Sequence, residues 1–272
     1  MDTLLAAVIM GIVQGLTEFL PVSSSGHLII VPYLLGIRDP FITSLEFSVI
    51  LHIGTLVALL IYFRSDWLRL VPALIAAVRD RSLDGDPDRR LAVLIAIATV
   101  PAAVIGFLFH DVENVIREVG LVAVMLVVGG AILWLAERVG KRQMVALDLS
   151  FRQALAIGAA QAIALVPGIS RSGISISAGL FAGLRREEAA RFSFLMATPI
   201  TAAAAAYEVL KVVRGEGAPM QLVPMAVGLL MSFVFGMLAI AFLLRFLRTR
   251  STDIFVAYRV ILAAAVLVIW LR

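Results

Sequence analysis

The sequence predicts an all-α polytopic membrane protein, a single domain over residues 1–272 with six full spans and two broken helical hairpins. Three observations carry that prediction. Of the 272 residues 61% are hydrophobic and the mean hydropathy is +1.02, well above the apolar share of a soluble domain. Apolar runs long enough to cross about 30 Å of hydrocarbon, roughly 20 helical residues each, recur along the whole length. Two further apolar stretches are interrupted halfway by proline, glycine and serine.

The first of these stretches, Thr3 to Gly36, opens the chain. Met1 to Met10 carries Asp2 and no basic residue, so it lacks the positive start of a cleaved signal peptide and reads as a helix of the mature protein. The run Pro21-Val22-Ser23-Ser24-Ser25-Gly26-His27 then breaks it. Proline cannot continue a helix, and serine and glycine favour turns, so the stretch reads as helix, polar loop, helix. Full spans follow at about Leu45 to Phe63, Leu91 to Phe109 and Leu121 to Ala136. The segment holding Arg64, Arg69 and Arg79, and Asp80 to Arg90 after it, read as solvated loop. Phe151 to Leu184 repeats the broken pattern around Pro167-Gly168-Ile169-Ser170-Arg171-Ser172-Gly173. Arg185-Arg186-Glu187-Glu188 reads as a solvated helix start, and spans at Phe192 to Leu210, Leu222 to Leu244 and Ile254 to Leu271 complete the chain. Non-helical backbone survives at membrane depth only inside protein or beside a watery cavity, so both broken stretches are expected to be re-entrant hairpins.

The two hairpins are related. Adding 147 to a position in the first lands on a like residue in the second: Gly11 on Gly158, Gln14 on Gln161, Ser23 on Ser170, Ser25 on Ser172, Gly26 on Gly173, Ile29 on Ile176, Gly36 on Gly183 and, further on, Phe47 on Phe194. Glycine, glutamine and serine in fixed register across a break indicate an internal duplication with halves 1–147 and 148–272. If each hairpin returns to the side it left, three spans lie between them and the repeats are inverted in topology. One face then receives the loops with Arg64, Arg69, Arg79, Arg81, Arg89, Arg90, Arg138, Lys141, Arg142, Arg152, Arg185, Arg186, Arg191, Arg245, Arg248 and Arg250; the other receives Arg38, Arg117, Lys211, Arg214 and Arg272. The positive-inside rule makes the first face cytoplasmic, with the first hairpin entering from outside and the second from inside. Topology thus accounts for the formal charge of +4 without nucleic acid. The absence of cysteine removes disulfides and thiolate chemistry.

Arg171 is the most informative residue, because a guanidinium within an apolar hairpin costs at least a few kcal/mol, on the order of 3, unless paired or hydrated. It needs an anion, and its planar fork suits phosphate. Gly168, Ser170, Ser172 and Gly173 let backbone N–H groups approach a ligand at the start of a helix. The plainer alternative is a structural pair with a buried carboxylate such as Glu18. The first hairpin contributes Gln14, Glu18, Ser23, Ser24, Ser25, Gly26 and His27. Gln14 and Glu18 share a helix face; Ser24 and His27 lie within one turn, as a hydroxyl nucleophile and an imidazole acid or base would. Glu18 would orient that imidazole or hold a divalent cation against a diphosphate. Serines and glycine also cap and turn helices, which accounts for Ser23 or Ser25 taken singly but not for the whole set. His52, His110 and Glu46 read as structural.

Gln14 to His27, with the order Gln14-Gly15-Leu16-Thr17-Glu18-Phe19-Leu20-Pro21-Val22-Ser23-Ser24-Ser25-Gly26-His27, together with Pro167 to Gly173, closely resembles the undecaprenyl-diphosphate phosphatase family of the bacitracin-resistance type. The resemblance spans the chain, including Phe109-His110-Asp111 and Phe192-Ser193-Phe194-Leu195. It implies a bacterial inner-membrane enzyme that removes the terminal phosphate of undecaprenyl diphosphate at the outer face, regenerating the peptidoglycan lipid carrier. By position it implies Glu18, Ser24, His27 and Arg171 as the functional core, with Ser24 as nucleophile and stimulation by a divalent cation such as Mg²⁺ or Ca²⁺. The first position of the family's (Glu or Gln)-x-x-x-Glu motif is Gln14 here, so the resemblance does not imply a role that needs a carboxylate at that point. The partners implied are the isoprenoid diphosphate and membrane lipids; a homodimer is left open, with no residue pointing to it. The competing class is a lipid or small-anion transporter or flippase, since inverted repeats with broken helices are a transport architecture. Type-2 phosphatidic acid phosphatases share Ser25-Gly26-His27 but need a histidine downstream of a Ser-Arg pair, and none follows Arg171.

Overall fold

The computed structural model describes residues 1–109, 118–213 and 221–271. His110, Asp111, Arg117, Arg214 and Arg272 lie outside the described residues, as does the side chain of Lys211. The described residues form helices α1 (Thr3–Phe19), α2 (Ser24–Leu35), α3 (Leu45–Tyr62), α4 (Arg64–Asp80), α5 (Pro87–Leu108), α6 (Val119–Val139), α7 (Phe151–Ala162), α8 (Arg171–Phe181), α9 (Arg186–Val213), α10 (Leu222–Leu247) and α11 (Asp253–Trp270). Six of them, α3, α5, α6, α9, α10 and α11, are long and apolar enough to cross a membrane. They fall on the six predicted spans, and much of the exposed surface is apolar, with Phe107 at 79% and Ile261 at 70% exposure. A surface of that kind is stable only against hydrocarbon, so the chain is a multi-pass membrane protein.

Local chemistry accounts for the helix boundaries. Ser44 caps α3 by accepting from the Phe47 N–H, Asp86 caps α5 ahead of Pro87, and Ser150 with Gln153 forms a capping box on α7. Arg64 to Asp80, expected as loop, is instead helix α4. It buries Asp66, Leu70, Ala73 and Ala77 on one face, while Leu68, Ile75 and Val78 point outward at 63–76% exposure; the helical spacing is carried by too few apolar residues to register as a span. Arg186 also departs from the solvated reading, because its guanidinium bonds the buried carboxylate of Glu137.

The two broken stretches fold alike. Each is a helix, a short polar turn and a second helix, and at each turn a serine takes a left-handed backbone conformation, Ser23 at φ 76° and Ser170 at φ 78°. Each serine hydroxyl accepts from the N–H three residues on, Gly26 for Ser23 and Gly173 for Ser170. The ends of each stretch also meet: Thr3 donates to Asp39 just beyond α2 at 2.5 Å, and Gln153 donates to the Ala182 carbonyl beyond α8 at 3.0 Å. The Thr3 hydroxyl holds the Asp39 carboxyl below the usual carboxylate range. The first helix of each stretch packs tightly on a span from the other half. A Cβ on Gly11 would lie 2.6 Å from the Gly228 carbonyl oxygen of α10, and one on Gly158 would lie 1.9 Å from that of Ala98 in α5; small residues at these positions let the helix backbones touch.

The basic segments predicted to share a face contact one another. Arg69 bridges Asp66 and Asp88, Arg191 joins Asp66, Arg142 and Arg186 meet on Glu137, and Arg248 pairs with Glu187. Arg90 donates to the carbonyls of Leu147 and Leu149. These bonds tie the start of α4 and the ends of α6 and α10 to the starts of α5 and α9 and to the segment before α7, at one end of the bundle.

Candidate active site

Glu18 is the centre of a polar cluster drawn from five helices. It sits in the last turn of α1, its side chain 3% exposed. One carboxylate oxygen accepts from the Arg171 guanidinium at the start of α8. The other accepts from the Ser24 hydroxyl at 2.6 Å, at the start of α2, and from the Gln14 amide at 2.9 Å, one turn back on α1. His52 of α3 places Nε2 3.5 Å from the same oxygen, while its Nδ1 lies 2.8 Å from the Ser48 carbonyl. Arg171 donates a further bond to Thr201 of α9 at 2.6 Å. The two turns, far apart in sequence, therefore meet: one brings the hydroxyl and carboxylate, the other the guanidinium.

The burial is graded in a way that suits chemistry on an entering ligand. Glu18 is shut in, whereas the Arg171 side chain is 25% and the His52 side chain 31% exposed, and Ser24 is half-buried. Two of the five N–H donors of Arg171 are engaged by described residues. The first N–H groups of both helices, those of Ser24 and Ser25 and of Arg171 and Ser172, make no backbone bond among the described residues. Two helix N-termini thus bring free donors and partial positive charge to one place.

The remaining predicted residues support this cluster from behind. Ser23 and Ser170 cap α2 and α8, with Ser25 and Ser172 reaching their hydroxyls at 3.4 and 3.2 Å, and Ser172 also donates to the Leu20 carbonyl at 3.1 Å, joining the two turns directly. Gly26 and Gly173 are closely packed: a Cβ would lie 3.1 Å from Val122 at the first and from Arg259 at the second, so a side chain there would make those neighbours give by a few tenths of an ångström. His27 stands apart from Ser24. Its Nδ1 is 2.7 Å from the Ser23 carbonyl and its Nε2 2.7 Å from the Tyr258 hydroxyl, with the two rings stacked. Both ring nitrogens are engaged and the residue is 4% exposed, so the expected partnership of His27 with Ser24 is replaced by one of Glu18 with Ser24. The imidazole beside Glu18 belongs to His52, which the sequence left as structural. Thr201, Tyr258 and Arg259 were also missed; an arginine within a predicted span was the available signal for the last.

The described side chains around Glu18 do not form a closed cage for a cation. Both Glu18 oxygens already accept from a guanidinium, a hydroxyl and an amide, and among the described residues no three His, Asp or Glu side chains converge to hold an ion. Ca²⁺ takes six to eight oxygen ligands, whereas Mg²⁺ is commonly held by one or two carboxylates together with water and substrate phosphates, so Glu18 is the described carboxylate that an ion arriving with a diphosphate would meet.

The family model described as bacitracin resistance protein BacA matches residues 7–265. The chain belongs to the BacA family. Relatives bearing the name undecaprenyl-diphosphatase match it end to end: one from Rubrobacter xylanophilus is 50% identical over 267 residues, 97% of each chain, and one from Desulforudis audaxviator is 45% identical over 263 residues, 96% of each. A third, from Myxococcus xanthus, is 41% identical across 98% of this chain and 89% of its own. The BacA family identified from the two motifs is therefore the family of the whole chain, and every member of the Glu18 cluster lies within the matched residues.

Proposed function

We propose that this protein hydrolyses undecaprenyl diphosphate to undecaprenyl phosphate and inorganic phosphate, recycling the lipid carrier of peptidoglycan synthesis. The observation that carries the reading is the Ser24 hydroxyl 2.6 Å from a buried carboxylate that is itself paired with Arg171. Phosphoryl transfer asks a protein mainly for positioning and charge stabilisation. Arg171, with the free N–H groups of the two helix starts, binds the terminal phosphate. Ser24 Oγ attacks its phosphorus, the bond to the bridging oxygen breaks, and undecaprenyl phosphate leaves. The hydroxyl proton passes to Glu18, and water then cleaves the phosphoserine. Transport would need the clamp alone, without a hydroxyl held against a base. A divalent cation would enter this scheme with the diphosphate, as its counter-ion.

The same reading places the two turns within the membrane as tips of re-entrant hairpins in an inverted repeat with halves 1–147 and 148–272. Its support is the matched serine conformation, the return of each stretch to its own starting end, and the gathering of basic segments at one end of the bundle. With that end cytoplasmic, the protein lies in a bacterial inner membrane and its site opens to the outer face.

Detergent-solubilised protein is expected to release inorganic phosphate from undecaprenyl diphosphate, with turnover of order 1–10³ s⁻¹ as for typical enzymes; absence of release under conditions where the protein is monodisperse would refute the assignment. The two histidines separate by role. His52→Ala, which removes the imidazole 3.5 Å from the Glu18 oxygen that takes the proton and so its onward relay, should slow turnover by about 10²-fold, the lower end for an acid–base group. His27→Gln, which can still donate to the Ser23 carbonyl, should cost less than about tenfold on the same scale. The reverse ranking would return proton transfer to His27.

A further inference from the structure

Arg259 lies in the middle of span α11 and is 0% exposed. Among the described residues, its hydrogen bonds all go to backbone carbonyls and none to a carboxylate. Nε donates to the Leu126 carbonyl at 2.8 Å, Nη1 to the Pro21 carbonyl at 3.2 Å, and Nη2 to the carbonyls of Gly168 at 2.7 Å and Ile169 at 2.9 Å, with Met125 further off at 3.4 Å. A buried charge without a counter-ion is expensive, and an apolar side chain of similar volume would fill the same space in a membrane helix at less cost. Holding two helices together is therefore not a sufficient reason for an arginine here.

The identity of the acceptors supplies one. Pro21 and Gly168 are related by the 147-residue offset that relates the two stretches. A single guanidinium thus bonds the same carbonyl in both turns. Three residues beyond each of those carbonyls stand Ser24 and Arg171, which are related by the same offset, each the first residue of its helix. Between carbonyl and helix lies the serine with positive φ, Ser23 or Ser170, a conformation that persists only when its surroundings enforce it. Gly129 leaves room for the fork, since a Cβ there would fall 2.2 Å from Nη2.

We infer that Arg259 is a positioning residue for the reaction: its fork pins the two turns to each other and so sets the distance between the Ser24 hydroxyl and the Arg171 guanidinium. Among the described residues, the other polar links between the two turns are the Ser172 to Leu20 bond and the Arg171 to Glu18 contact, beside the close approach of Gly26 to Gly168. A fork is required because one planar group must reach acceptors on two backbones at once; the point charge of lysine cannot. The inference rests on the phosphatase reading above.

The test uses full-length Arg259→Lys and Arg259→Met in detergent, with steady-state phosphate release from undecaprenyl diphosphate and amide hydrogen exchange followed by mass spectrometry. Both variants are expected to remain monodisperse, to lose about 10²-fold in kcat with KM within about threefold, the signature of an interaction used in the transition state. Peptides covering residues 19–28 and 166–175 should both exchange faster, while those covering α10 stay unchanged. Wild-type kcat in either variant overturns the inference, as does faster exchange in one turn alone. A general rise in exchange, or failure of both variants to yield folded protein, also overturns it, because either outcome assigns Arg259 to the fold rather than to the turns. Failure of the wild type to release phosphate would instead strike the phosphatase reading, and the exchange data would still decide whether Arg259 couples the turns.

Discussion

Arg171→Ala is expected to slow phosphate release from undecaprenyl diphosphate by about 10³- to 10⁵-fold, the range lost when an arginine that stabilises phosphoryl-transfer charge is removed. At 1.36 kcal/mol per tenfold, that is roughly 4–7 kcal/mol of transition-state stabilisation. The substitution acts twice. It removes the clamp, and it leaves the Glu18 carboxylate, 3% exposed, without its cation, a change that costs about 3–5 kcal/mol of stability when a buried pair is broken on one side. The two effects can be separated, because Glu18→Gln added to Arg171→Ala should recover thermal stability while leaving activity lost. Arg171→Lys should fall between wild type and alanine, keeping charge but not the fork that reaches Glu18 and Thr201 together. Turnover by the alanine variant within about tenfold of wild type would show that the diphosphate is held elsewhere, since so small a loss lies far below the range for such an arginine.

Ser24→Ala should abolish turnover to the level left by binding and electrostatics alone, a loss on the order of 10⁴- to 10⁶-fold. The fold should be little affected, since Ser24 makes one side-chain bond, to Glu18, and the cap of α2 is Ser23. Quenching the wild type during turnover should trap an acid-stable phosphoenzyme that Ser24→Ala cannot form and His27→Gln still can. An acid-labile adduct would point to phosphohistidine and to direct attack by His27 or His52. Retention of activity in Ser24→Ala would leave water as the attacking group, with Glu18 as its base.

The span pattern, the two broken stretches and their 147-residue register were legible in the sequence because they rest on local composition and on identities that do not depend on packing. Arg171 was legible as well, since a charge inside an apolar hairpin is anomalous wherever the chain goes. The partners of that charge were only half legible. Glu18 and Ser24 lie six residues apart across a turn, so their meeting follows from near neighbours, and the same nearness suggested His27. But residues three apart share a helix face, and which partner an imidazole takes there is set by its rotamer and by what lies across from it. Here His27 turns back onto the Ser23 carbonyl and across to Tyr258, a residue 231 positions away.

What tertiary structure alone decided is which distant side chains complete the cluster. His52, Thr201 and Arg259 come from three spans whose rotation about their own axes is set by close helix contacts, such as Gly54, where a Cβ would lie 2.0 Å from the Ser232 hydroxyl, and Gly129 against Arg259. Hydrophobicity in a lipid environment says that a helix spans, but it does not say which face looks inward; backbone contact through small residues does. The sequence by itself determined the chain's place in a membrane and the two loops that carry its chemistry, because transfer energy and backbone chemistry act residue by residue. The joining of those loops around one carboxylate was decided by packing, because it is a property of residues 153 positions apart, Glu18 and Arg171.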